Sequence, residues 1–575
     1  MVQAIKKSRL GKKRHKAAPL PAVSRKRWTV AVYMAADGRS GSSDLDQVAI
    51  RELANIVEAA STQSKDVNVA VQLDLHGVDG LLRMMALGDN RAHGEFKKKD
   101  ANVASRETLD GFFRWVTERS QSEHYLLLFW GHSSGPVVFV GDFQQPPKAK
   151  TNGHGGNGHD TPIKMAGAGV DVLSGVLKRF ARAIKKDCGC FRDAKATYQK
   201  GHTHKGTAPA VDIVLFKECF MSTLETAFEL DDVRFMIGSQ AKVPRLGWPY
   251  ADIFKSLADN NDPAEAAKSI LNDLGNHYEI ARHRRDKDEV PVTLVDIPRV
   301  QQVTKQFVPV LVDAIRAPGA TRPQALERKK EIDNAFERSA LGDPALLDLK
   351  VLCVHLLRID RNWSAGLRTA ATELLKLFEG SATGNGAGQP AVRMARSNSA
   401  FGGLGLFYFP SPLDAMGPAH VGGSFIAPVV ARHRKRYEAL EFGRVTKWGL
   451  LALERMGEWD ANILASFGNG KIVNFKALEE LSKASALGDI FGRPESVDLH
   501  KGFDFGKGFD FGKGFDFGKG FDFGKGFDFG KGFDFGKGFD FGKGFDFGKM
   551  LDFANSVDFA KAFDFVEKSS DAQNN

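Results

Sequence analysis

Two residues of this chain are of types that do covalent chemistry and stand where such chemistry is commonly placed. His132 follows the apolar run HYLLLFWG (124–131), and Cys219 follows VDIVLFKE (211–218). A thiolate is a strong nucleophile, and an imidazole takes up or returns a proton near neutral pH. In open α/β sheets, reactive groups gather at the carboxyl ends of strands. Either residue alone is commonly structural; together, each at a strand end, they predict a Cys–His pair. The helix-like STLETAFEL after Cys219 adds an expectation, because the positive end of a helix favours thiolate.

Positioning such a pair needs a sheet. Short β-branched apolar runs read as buried strands at 28–36, 67–75, 124–131, 211–218 and 233–241. Helix-like stretches lie between several of them. Residues 44–60 place Val48, Leu53, Ile56 and Val57 close to a 3.6-residue period, and 107–120 is a second such segment. Strand–helix alternation with near-continuous apolar strands predicts an α/β fold, a mainly parallel sheet flanked by helices. Residues 143–169 are rich in Gly, Pro, Asn and His and read as an exposed insert. The divisions expected are a basic tail (1–27), a core (28–260), a mostly helical part (261–455) with strand-like 290–297 and 403–410, a helical connector (456–494), a hexapeptide repeat (495–566) and a polar end (567–575). The repeat KGFDFG occurs eight times without change from Lys501 to Gly548, with degenerate copies on either side.

Composition narrows the function classes. The chain has 575 residues, 42% hydrophobic and 26% charged, as in ordinary globular proteins. No run approaches the roughly 20 apolar residues of a membrane helix. The net charge of +10 is matched by ten Lys and Arg in residues 1–27, which hold no acid. The basicity therefore belongs to a tail and not to a nucleic-acid-binding face, and contact with nucleic acid is expected at most there. The tail has no apolar stretch of the secretory kind. Cys188, Cys190, Cys219 and Cys353 are too few for a disulfide scaffold, and a reducing cytoplasm is expected.

The segments WTVAVYMAADG, VNVAVQLD, LLLFWGHSSG, VDIVLFKECFMSTLETAFEL, FMIGSQAKVPRLGWPY, VTLVDI, GLGLFYFP and RYEALEFGRVTKW occur in the order of one known family. Through them the chain resembles the clostripain family of cysteine peptidases, within the caspase-like group, over about 28–450. The resemblance implies a caspase-like core, an endopeptidase activity and, at the matching positions, His132 as catalytic base and Cys219 as nucleophile. It implies an oxyanion site made by the backbone N–H groups of Ser133 and Cys219. Two departures stand out. Ser133 replaces a glycine, which predicts backbone strain there. Lys217 and Glu218 replace Asp-Ala, and the family's Asp is expected to help bind a basic P1 side chain. Lys217 and Glu218 are thus candidate substrate contacts, together with the strand-end acids Asp37 and Asp74, which equally suit turn capping. The family is often cut between its His and Cys segments, which makes Lys148, Lys150 and Lys164 candidate self-cleavage points. Calcium enters only through the resemblance; no cofactor and no metal site is expected from the residues.

Other readings were open. Cys188, Cys190, His202 and His204 could bind zinc, but their spacing is not that of common structural sites. His154 and His159 read as solvated, and Cys353 as core. As an alternative to peptidase activity, the caspase-like body could be a weakly catalytic or non-catalytic adaptor, with 495–566 mediating self-association or partner binding.

Overall fold

The computed structural model describes residues 26–36, 45–63, 65–75, 80–87, 91–97, 102–144, 164–187, 209–284, 289–317, 321–341, 345–359, 365–380, 388–396, 401–408, 434–449 and 451–452. Asp37, Lys148, Lys150, the Cys188–His204 group, His154, His159, the connector, the repeat and most of the basic tail lie outside them.

The first half of the chain runs β1 (Lys26–Ala35), α1 (Asp46–Thr62), β2 (Val67–Asp74), β3 (Leu81–Leu87), β4 (Arg91–Lys97), α2 (Arg106–Arg119), β5 (Ser122–Trp130), β6 (Phe139–Gln144), β7 (Lys164–Ala168) and α3 (Val170–Asp187). It continues with β8 (Val211–Lys217), α4 (Leu224–Glu229), β9 (Val233–Ser239), α5 (Tyr250–Asp259), α6 (Pro263–Arg284), β10 (Val292–Asp296), α7 (Ile297–Arg316), α8 (Arg322–Ser339), β11 (Leu346–Asp348), α9 (Leu349–Ile359), α10 (Ala365–Glu379), β12 (Val392–Met394), β13 (Gly405–Phe407), α11 (Arg434–Ala439) and α12 (Glu441–Val445).

Nine strands form one sheet in the order β12-β10-β9-β8-β5-β1-β2-β3-β4. The five central strands, β9 to β2, are mutually parallel, and antiparallel strands extend both edges. The expected mainly parallel sheet flanked by helices is what the chain builds. Its strands are apolar on both sides because both sides are covered. Along β1, Ala31, Tyr33 and Ala35 face α2, α3 and α4, while Val30, Val32 and Met34 face α1, α5 and α6.

Two features differ from the sequence expectations. The sheet does not stop at residue 260, since β10 pairs with β9 and β12 with β10. The core on the α2–α4 face likewise runs on into α7, α9 and α10. Also, 143–169 is not loop throughout. β6 and β7 pair antiparallel, with Gln144 opposite Lys164, so a two-stranded base carries residues 145–163. Composition hid this, because the pairing is made by residues at the two ends of a Gly- and Asn-rich stretch.

The C-terminal part is clamped to α4 by buried carboxyls. Glu225 accepts from the Phe407 N–H and the Tyr437 hydroxyl, and Glu229 from the Phe442 N–H. Burial raises both carboxyls, to about 7 in each case, with the hydrogen bonds working against the rise.

Candidate active site

Backbone pairing brings the two strand ends together. β5 and β8 are parallel neighbours, with Trp130 opposite Lys217. His132 and Cys219 each stand two residues further on, at the same edge of the sheet, where adjacent strands are about 4.8 Å apart. A side-chain bond ties the two exits directly: the Ser133 hydroxyl donates to the carbonyl oxygen of Cys219. Gly131 lets His132 leave the sheet here. A Cβ on Gly131, at φ +157°, would lie 2.8 Å from the Ala35 carbonyl oxygen. His132 itself is partly exposed and makes contacts of its own.

The strain expected at Ser133 does not arise. The non-glycine residues with positive φ among those described are Val140, Phe220, Asp232 and Lys447. The loop after His132 turns instead at Gly135, φ +72°, and at Val140, φ +44°. Ser133 thus keeps ordinary backbone geometry and gains a hydroxyl that glycine lacks. Neither the Ser133 N–H nor the Cys219 N–H has an acceptor among the described residues.

Cys219 is partly exposed, and its sulfur accepts from the Val243 N–H at 3.3 Å. The next residue, Phe220, takes a left-handed backbone, φ +58°, and its N–H is held by Ala241 at 3.1 Å. Burial pushes the thiol pKa up. The Val243 N–H works against this, Glu218 adds to it, and Lys242 opposes it. The helix-end lowering expected for Cys219 is therefore not found: α4 begins only at Leu224, with Thr223 capping it through the Thr226 N–H at 3.1 Å. A neutral thiol needs a base as it attacks, and His132 stands at the adjoining strand end.

Lys217 and Glu218 turn inward on opposite faces of the sheet. The Lys217 ammonium meets Glu52 of α1 and sits over the indoles of Trp130 and Trp248, at 5.7 and 5.6 Å. Glu52 also accepts from the Tyr250 hydroxyl, and Trp248 donates to the Tyr278 hydroxyl at 2.6 Å. Burial pushes the Lys217 pKa well below its ordinary value; the Glu52 carboxylate in contact favours the charged form. Glu218 is fully buried and accepts from the Val140 N–H at 2.9 Å. Asp74 is buried at the end of β2, where its carbonyl accepts from the Ala36 N–H. Lys164 opens β7 in a paired position. Cys353 is buried in α9, as read from the sequence. Among the described residues, no group of three His, Cys, Asp or Glu is placed to hold a metal ion, and no helix is long and apolar enough to cross a membrane.

Sequence reasoning missed Glu52, Val140, Val243 and Tyr250. The first three lie far from Cys219 in sequence or in unpatterned loops. Tyr250 closes the segment FMIGSQAKVPRLGWPY, where nothing in the sequence pattern marks it as a partner of Glu52.

Comparison with known proteins matches part of the chain. The clostripain family model matches residues 202–338, which contain Cys219 but not His132. Among solved structures, a secreted C11 cysteine protease from Bacteroides thetaiotaomicron bound to an irreversible peptide inhibitor is 15% identical, covering 74% of this chain and 99% of its own, with a TM-score of 0.44. A second structure of a secreted C11 protease from that organism, iotapain, is 13% identical over 74% and 100%, with a TM-score of 0.45. An inactive zymogen C11 protease from Parabacteroides distasonis is 15% identical over 74% and 99%, with a TM-score of 0.41. No curated protein matches.

Proposed function

We propose that this chain is a cysteine peptidase of the clostripain family, cleaving peptide bonds through Cys219 as nucleophile and His132 as its base. The observation that carries the reading is the bond from Ser133 to the Cys219 carbonyl, which joins the two strand ends beside two N–H groups without acceptors among the described residues. As the sulfur attacks the scissile carbonyl, its proton passes to His132, and the oxyanion forms toward the Ser133 and Cys219 N–H groups. His132 then returns the proton to the amine, which leaves. Water hydrolyses the thioester and frees Cys219. A thiol with a raised pKa fits this sequence, because proton removal is coupled to attack.

A thiol nucleophile and the free Cys219 and Cys353 suit a reducing compartment, and the cytoplasm is part of this proposal. The test uses an acyloxymethyl ketone peptide probe on the full chain. It should label Cys219, identified by peptide mass spectrometry, and spare His132→Ala. Peptide hydrolysis should vanish in Cys219→Ala and His132→Ala while circular dichroism stays unchanged. Full activity in either variant removes the assignment and leaves the adaptor reading.

A further inference from the structure

Glu218 is an acid with an unusual surrounding. It stands next to Cys219, has no accessible surface, and uses one oxygen to accept from the Val140 N–H at 2.9 Å. Its other oxygen is buried and has no partner among the described residues. Among the described residues, no cation answers it. Lys217, its neighbour, lies on the opposite face with Glu52, as strand alternation requires. Lys242 acts on Cys219 and not on Glu218. The influences on the carboxyl are burial and the Val140 N–H, and the titratable group beside it is the thiol of Cys219. A buried carboxylate with an orphaned oxygen and no counter-charge is costly, whereas the neutral acid keeps its bond to Val140 at little expense. Accordingly, burial pushes Glu218 up to about 8.

The partner it holds is also unusual. Val140 is β-branched and left-handed, a conformation that persists only where its surroundings impose it. Val140 lies on β6, the strand that continues the loop from His132. Glu218 therefore ties the loop after His132 to the turn at Cys219, as the Ser133 hydroxyl also does.

We propose that Glu218 is a positioning residue for Cys219, a carboxyl kept neutral that holds the Val140 turn against the nucleophile and disarms the thiol when it loses its proton. The proposal rests on Cys219 being the nucleophile. A negative charge beside the sulfur opposes thiolate, so ionisation of Glu218 and of Cys219 are coupled.

The experiment compares full-length wild type, Glu218→Gln and Glu218→Ala. Iodoacetamide alkylation of Cys219 is followed from pH 6 to 10 by peptide-resolved mass spectrometry, and kcat/KM is measured over the same range. Gln keeps the neutral shape and the acceptor for Val140. It should retain activity near neutral pH and lose the alkaline fall that wild type begins near pH 8. Its alkylation midpoint should move down, making the thiol at least about threefold more reactive at pH 8.5, half a pKa unit. Ala should lower kcat by about tenfold or more, with the alkaline limb also gone. An unchanged alkylation midpoint in the Gln variant overturns the proposal, as does an alkaline limb identical to wild type. If Ala fails to fold, the Gln comparison decides alone. Activity in Cys219→Ala would sink the dyad itself, an outcome distinct from either result at Glu218.

Discussion

Replacing Lys217 by methionine would remove one half of a fully enclosed ion pair and leave the Glu52 carboxylate buried without its ammonium. Glu52 would keep only the Tyr250 hydroxyl, and breaking such a pair from one side costs about 3–5 kcal/mol. With a urea slope of about 3 kcal/mol/M, the unfolding midpoint should fall by about 1–2 M. Replacing both partners, Lys217→Met with Glu52→Leu, removes the stranded charge. It leaves the buried Tyr250 hydroxyl without its acceptor, a cost of about 1–3 kcal/mol. The double variant should therefore recover much of the loss, and adding Tyr250→Phe should close most of the remaining gap. Urea denaturation of the Cys219→Ala background, followed by tryptophan fluorescence, provides the assay without self-digestion. A Lys217→Met midpoint equal to wild type would show that the charge is not confined as the structure places it. A double variant no more stable than the worse single would show that the three side chains do not act as one group.

Stability should also decline with rising pH. Glu225 and Glu229 are raised by burial to about 7, so the folded state holds protons that the unfolded state has released. Their contribution is complete below the ordinary carboxylate range and is lost as pH rises through about 7; Glu225→Gln should flatten the decline of the urea midpoint between pH 5 and 8. The resemblance expects an Asp at position 217 to bind a basic P1 side chain; here the ammonium of Lys217 is matched by Glu52 and closed off, and no carboxylate is offered. A peptide library should lack strong selectivity for Arg or Lys, and a selective Arg profile that survives Glu218→Gln would contradict this. Self-cleavage should fall within 145–163, at Lys148 or Lys150, rather than at Lys164, whose backbone is paired with Gln144. The two fragments should stay associated through the β5–β8 ladder, and Cys219→Ala should remain a single chain. The sixteen Phe of the exact repeats favour burial against a partner; truncation after Gly492 should leave small-peptide hydrolysis unchanged and lower the solution mass by more than the deleted segment. Loss of activity on truncation would make the repeat part of the fold.

What the sequence revealed follows from how local each signal is. The five central strands were legible because burial on both faces demands unbroken apolar runs, which few other elements share. β3 and β4 were not, since LLRMMAL and RAHGEFK extend the edge antiparallel and carry Arg and Lys within the run. The strand ends bearing His132 and Cys219 were legible because each chemical residue stands within two residues of the end of its strand. Whether β5 and β8 are neighbours is tertiary information, and it is this pairing that makes two residues into one site. The substitutions near Cys219 are the sharpest case. Read along the chain, Lys217 and Glu218 look like charges inserted beside a nucleophile, available to a substrate. In the fold, strand alternation sends them to opposite faces, where one finds Glu52 from 165 residues away and the other finds a backbone N–H on the loop of the base. Both side chains are enclosed by the scaffold, Lys217 against Glu52 and Glu218 against the Val140 N–H. Each of the two residues thus meets a partner that the fold, rather than the sequence, brings to it.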